Sequence, residues 1–156
     1  MEYLNDSKEE LKRVDHLIYV SLKYTRTVDV IRSIIDRLIN AADFLVDQIL
    51  YTAKQEKKIS ELPKLPGIKC DKVKSLYKDD KKLVGYIDYY LKLRKIMRLD
   101  FIRSTEYRRH VYMGVTLNGE ELRINIDLMV EYNEISKDFF EYVKEMVSDK
   151  SEESDD

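Results

Sequence analysis

The chain has 156 residues, 37% charged and 44% hydrophobic, with 4 Gly, 2 Pro and a formal net charge of -2. That length fits one domain with a real core, and the shortage of turn formers favours long helices over a sheet-rich fold. The near-neutral balance excludes wholesale electrostatic attraction to nucleic acid but leaves room for a local basic patch.

The one cysteine, Cys70, excludes an internal disulfide and a thiolate metal cage and suits a reducing, cytoplasmic setting. The charged start from Glu2 onward predicts no signal peptide. No apolar run approaches spanning length, so no membrane association is expected.

Ser7-Lys-Glu-Glu10 has the form of a capping box, in which a hydroxyl and a carboxylate each satisfy a free backbone N–H. Leu11, Val14, Leu17, Ile18 and Leu22 follow at helical spacing, which predicts a first helix over 8–24. His16 falls on the far side of that stripe with Lys12, Tyr19 and Lys23, and reads as a solvated side chain or an RNA-facing one. Thr25-Arg-Thr27 breaks the pattern and offers an N-cap, with Asp29 in the next first turn.

The longest element is predicted over 28–57. Ile31, Ile34, Leu38, Ala41, Leu45, Gln48 and Thr52 trace its seam, widened by Ile35, Ala42, Val46, Ile49 and Leu50 into a bundle face. Asp36, Asn40, Asp43 and Asp47 share another face, which reads as solvated polar surface or as a carboxylate set for Mg2+.

Both prolines lie in the linker 58–69, and each restricts the residue before it to extended geometry. A short helix is expected over 71–78 and another long one over 80–98, opened by Asp79-Asp80, with Leu83, Val84, Ile87, Tyr90, Leu91 and Met97 inward. Tyr86, Tyr89 and Tyr90 read as core-edge residues with a wet hydroxyl, or as platforms for bases.

Val111 to Val115 alternates, Asn118-Gly119 is a strong hairpin-turn signal, and Leu122 to Ile126 alternates back. A two-stranded β-ribbon therefore precedes the last helix, which Asn125 or Asp127 can cap. Leu128, Tyr132, Ile135, Phe139, Tyr142 and Met146 repeat along that helix. The fold class expected is all-α: an up-and-down bundle of four main helices plus a short helix, with the small ribbon before the C-terminal helix. The domain spans 1–147, and the acidic, Ser-rich stretch 148–156 is expected to be a disordered tail.

The stretch 103–110, Arg-Ser-Thr-Glu-Tyr-Arg-Arg-His, sits in the densest basic run and holds one of the two histidines. If it is helical, Arg103, Glu106, Tyr107 and His110 share a face, with Arg103 and His110 about 10 Å apart along the axis. His can move the proton of an RNA 2′-OH, and Arg can stabilise a phosphorane, without a metal. Arg98, Tyr107, Arg108 and Arg109 are the candidate RNA contacts.

Arg103-x6-His110, set among long helices, resembles the Arg-x4–6-His motif of the HEPN superfamily of helical-bundle proteins. The resemblance implies RNA binding or metal-independent cleavage, Arg103 and His110 as catalytic residues, no cofactor, and a homodimer with two motifs across a cleft. The spacing lies at the motif's upper limit, and Ser104 stands where active members tend to carry Asn, Asp or His. Both departures suit a member that binds RNA or a separate protein partner without cleaving. The other readings are a non-enzymatic interaction module and a Mg2+-dependent nucleotide hydrolase built on Asp36, Asp43 and Asp47.

Overall fold

A computed structural model of the chain describes the backbone of residues 2–154 and the side chains of residues 2–148. The described residues are mostly helical. Helix α1 (Glu2–His16) runs through a π-helical turn (Leu17–Ser21) into the single turn α2 (Leu22–Tyr24). Then come α3 (Val28–Gln55), α4 (Pro66–Leu76) and α5 (Lys81–Arg98), strands β1 (Phe101–Ser104), β2 (Tyr112–Leu117) and β3 (Glu120–Asn125), and α6 (Ile126–Ser154).

Helix α3 is the hub, in contact with α1, α4, α5 and α6. Its seam residues Ile31, Ile34, Ile35, Leu38, Leu45 and Ile49 are fully or almost fully buried. Thr27 caps it as expected, its hydroxyl accepting from Val30 N–H at 3.3 Å. Asp80 caps α5 through Leu83 N–H at 3.1 Å, and the Asn125 side chain accepts from Leu128 N–H at 2.9 Å at the start of α6.

Several expectations need correction. The first helix starts at Glu2, so Ser7-Glu10 is not a capping box. Ser7 is buried and its hydroxyl donates to Ala41 C=O of α3 at 2.9 Å, while Glu10 pairs with Arg13 and Arg37. Helix α4 begins at Pro66, because proline's fixed φ and missing N–H suit a first helical turn. On α5 the deeply buried positions are Leu83, Tyr86, Ile87, Tyr90, Leu93 and Ile96, with Val84, Leu91 and Met97 only half-buried.

The β-structure is an antiparallel sheet of three strands in the order β1-β2-β3, not a two-stranded ribbon. Asn118 (φ 54°) and Gly119 (φ 83°) make the expected tight turn between β2 and β3. The added strand, β1, contains Arg103. The premise of a helical 103–110 is therefore overturned: Arg103 is in a strand, and 105–110 is a turn-rich loop with positive φ at Thr105 and Tyr107. Of the stretch 148–156, expected to be a disordered tail, the backbone to Ser154 continues α6, and residues 155–156 lie outside the described residues. No helix among the described residues is long and apolar enough to cross a membrane.

A candidate anion-binding pocket

The sheet register decides which basic residues can meet. Arg103 is opposite Met113, and Met113 is opposite Ile124. Directly paired residues point to the same face, and neighbours along a strand point to opposite faces. Met113 and Ile124 are fully buried and Arg32 of α3 reaches the Met113 sulfur at 3.5 Å, so Arg103 shares the face turned to α3. There its guanidinium pairs with Asp29 at 2.9 Å and Glu106 at 3.7 Å and lies 5.4 Å from the Phe101 ring centroid. The hydrogen bond that Arg103 donates to Asp29 raises its pKa further and keeps the group charged.

The opposite face carries Tyr112, Arg123 and Asn125. These form one wall of a cavity of about 900 Å³. Ile18, Tyr19, Leu22, Lys23 and Arg26 form the second wall. Thr105, Arg109 and His110 close it from the loop, with Ile126, Asp127 and Val130 at the start of α6. Ile18 and Tyr19 belong to the π-helical turn, closed by a bond from Leu22 N–H to Leu17 C=O. Such turns are rare and recur at functional sites.

The loop is held in place by two bonds to the α2–α3 junction. Tyr107 N–H donates to Arg26 C=O at 2.6 Å, and Val28 N–H donates to the Glu106 carboxylate at 3.0 Å. These bonds hold the loop on the same junction that carries Lys23 and Arg26, so Arg109 and His110 come to line the cavity with them.

The lining carries four cations, Lys23, Arg26, Arg109 and Arg123, against one carboxylate, Asp127. Arg123 pairs with Glu121 at 3.2 Å and lies 4.8 Å from the Tyr112 ring centroid. The side chains of Lys23, Arg26, Arg109 and His110 have no hydrogen-bond or ion-pair partner among the described residues. Arg26 Nε is buried without an acceptor.

Of the residues expected to act together, the cavity gathers Arg109 and His110 and leaves Arg103 on the other face of the sheet. Arg98 ends α5 and donates to Arg94 C=O at 3.4 Å; it does not line the cavity. Tyr107, 79% exposed, and the exposed Arg108 sit on the same loop but do not line the cavity. His16 is exposed and also outside the lining. The residues that sequence reading missed are Arg26, Tyr112, Arg123, Asn125 and Asp127. Tyr19 and Lys23 share one face of the first predicted helix, and that shared face is their signal in the sequence.

Two of the three α3 aspartates in the Mg2+ reading are otherwise engaged, while Asp36 is exposed. Asp43 accepts from the Tyr90 hydroxyl and faces Arg94 at 3.7 Å, and Asp47 holds Lys69 at 2.7 Å. Burial pushes the Asp43 carboxyl above its ordinary pKa, against the pull of Tyr90 and Arg94. Among the described residues no group of three or more His, Cys, Asp or Glu is placed to hold a metal ion. The tyrosines of α5 turn to the interior. Tyr86 stacks on Phe139 at 4.9 Å, and Tyr89 bonds Tyr132 C=O at 3.0 Å and Ser136 Oγ at 2.8 Å.

Comparison of the chain with protein-family models, with curated proteins and with solved structures finds no match in any of the three.

Proposed function

We propose that the chain is an RNA-binding module that holds its ligand in the pocket between the π-helical turn, the 105–110 loop and the outer face of the sheet. The observation that carries this reading is the convergence of Lys23, Arg26, Arg109 and Arg123 on one cavity with Asp127 as its one carboxylate. Such a cavity favours a polyanion. Tyr19 and Tyr112 supply aromatic faces inside it, and the exposed Tyr24, Tyr107 and Arg108 extend the same chemistry past its rim. Bases stack on such rings whatever their sequence, and cations track the backbone.

Cleavage is not part of this reading, because the Arg103 guanidinium is committed to Asp29 and Glu106 on the far side of the sheet. The test is fluorescence anisotropy with a single-stranded oligoribonucleotide across a salt series, in EDTA, followed by a denaturing gel. Binding should weaken with salt, with a log–log slope of about -0.7 per phosphate neutralised. Arg109→Gln should lower affinity roughly tenfold and make the slope shallower. The RNA should emerge intact. Salt-independent binding, or binding untouched by Arg109→Gln, would remove the pocket from the account. Discrete cleavage lost in His110→Ala would instead restore a metal-free ribonuclease.

A further inference from the structure

Four cations share one cavity. An internal phosphodiester carries a single charge, and successive ones in an extended strand are spread along a groove. Here Lys23, Arg26, Arg109 and Arg123 line one cavity, walled by segments 18–26, 105–112 and 123–130. A terminal phosphate matches this better: it carries about -1.5 to -2 charges at neutral pH and three oxygens free to accept. Guanidinium forks suit several oxygens on one phosphorus. Arg26 is the least exposed of the four, half-buried where Lys23, Arg109 and Arg123 are exposed. Asp127 accepts and cannot donate, so it suits a sugar hydroxyl and not a phosphate oxygen.

We infer that the pocket takes the terminal phosphate of an RNA strand, with Arg26 as the residue that distinguishes a phosphorylated end from a hydroxyl end. This rests on the RNA-binding reading above and specifies which part of the RNA occupies the cavity. Asp127 engages a hydroxyl of the terminal ribose, and the strand leaves past Tyr107 and Arg108. Monoester ends occur at the 5′ side, at the 3′ side and on free nucleotides, and all three share the chemistry.

The test uses the full chain and one oligoribonucleotide with an internal fluorophore, prepared with a 5′-phosphate, with a 3′-phosphate, or with hydroxyls at both ends. A nucleoside 5′-monophosphate and its nucleoside serve as competitors. One phosphorylated form should bind at least about tenfold more tightly than the hydroxyl form. Arg26→Met should abolish that difference, and so should Lys23→Ala, a change at an exposed position that leaves the core untouched. If the 5′ end is the one held, the monophosphate should displace the RNA at concentrations where the nucleoside does not. Equal affinity for all three RNAs, each weakened by Arg26→Met, would overturn the terminal-phosphate assignment and leave RNA binding standing. Binding of none of the RNAs, with or without binding of the free nucleotide, would overturn both.

Discussion

Glu106 is the carboxylate that joins the loop to the bundle. It accepts from Val28 N–H at 3.0 Å across 78 positions of sequence and faces Arg103 at 3.7 Å. Val28 is the first residue of α3, where backbone donors have no partner within the helix and the helix dipole favours negative charge. Glu106→Ala should therefore cost about 1–2 kcal/mol in urea unfolding, as for the loss of a hydrogen bond to a charged group. It should also weaken RNA binding, although Glu106 does not line the cavity, because Arg109 and His110 lose their placement. Glu106→Gln keeps an acceptor without the charge and should fall between. An affinity unchanged in Glu106→Ala, alongside the stability loss, would mean that the loop holds its shape without this bond. No short-range pattern announces the contact: Glu106 and Val28 are brought together only by folding. The same holds for Arg26, whose backbone C=O accepts from Tyr107 N–H, 81 positions away.

The elements differ in how openly the sequence declares them. Thr27, Asp80 and Asn125 cap helices where the sequence places them, and Asn118-Gly119 turns the chain between β2 and β3. These features are local, each decided by the conformational preference of one or two residues. Strand β1 is not legible in the sequence because it is four residues long and follows a basic helix, so Arg103 reads as readily on a helix as on a strand. What makes it a strand is pairing with β2, and that pairing has a steric signature at Gly114. A Cβ added there would meet Ile102 Cγ1 at 2.7 Å and Cδ1 at 3.1 Å. Gly114→Ala should cost roughly 1–2 kcal/mol, within the usual range for overpacking. Ile102 is largely exposed at 58%, so Ile102→Ala should cost little alone and should recover most of the loss in the double variant. The recovery is the informative part. If Gly114→Ala were as damaging without Ile102 as with it, the two strands would not lie in the register that puts Arg103 on the face away from the pocket.

Across the whole molecule, tyrosine hydroxyls tie the long helices to one another. Tyr90 of α5 bonds Asp43 of α3, Tyr89 of α5 bonds Ser136 of α6, and Tyr142 of α6 bonds Asp80 at the start of α5. Burial, the first cause in each case, raises all three phenols above their ordinary pKa, Tyr142 to about 12. A phenol is neutral while protonated, so the folded chain keeps protons that the unfolded chain releases near pH 10. Above about pH 10 the unfolded state binds fewer protons, and stability must fall as pH rises, by at most about 1.4 kcal/mol per pH unit for each such group. Their contribution is fully present below the unfolded pKa and is lost as pH climbs towards the folded values. The urea midpoint should thus show no fall from these groups up to about pH 10 and then drop. A chain of net charge -2 also becomes more anionic over that range, and self-repulsion alone would lower stability. Phe at 89, 90 and 142 separates the two causes: it removes the linked protons but leaves the rest of the charge. The variant should start less stable, because Asp43, Ser136 and Asp80 lose a partner, and its midpoint should fall less steeply above pH 10. A fall as steep as that of the wild type would assign the alkaline limit to net charge instead of to the three hydroxyls.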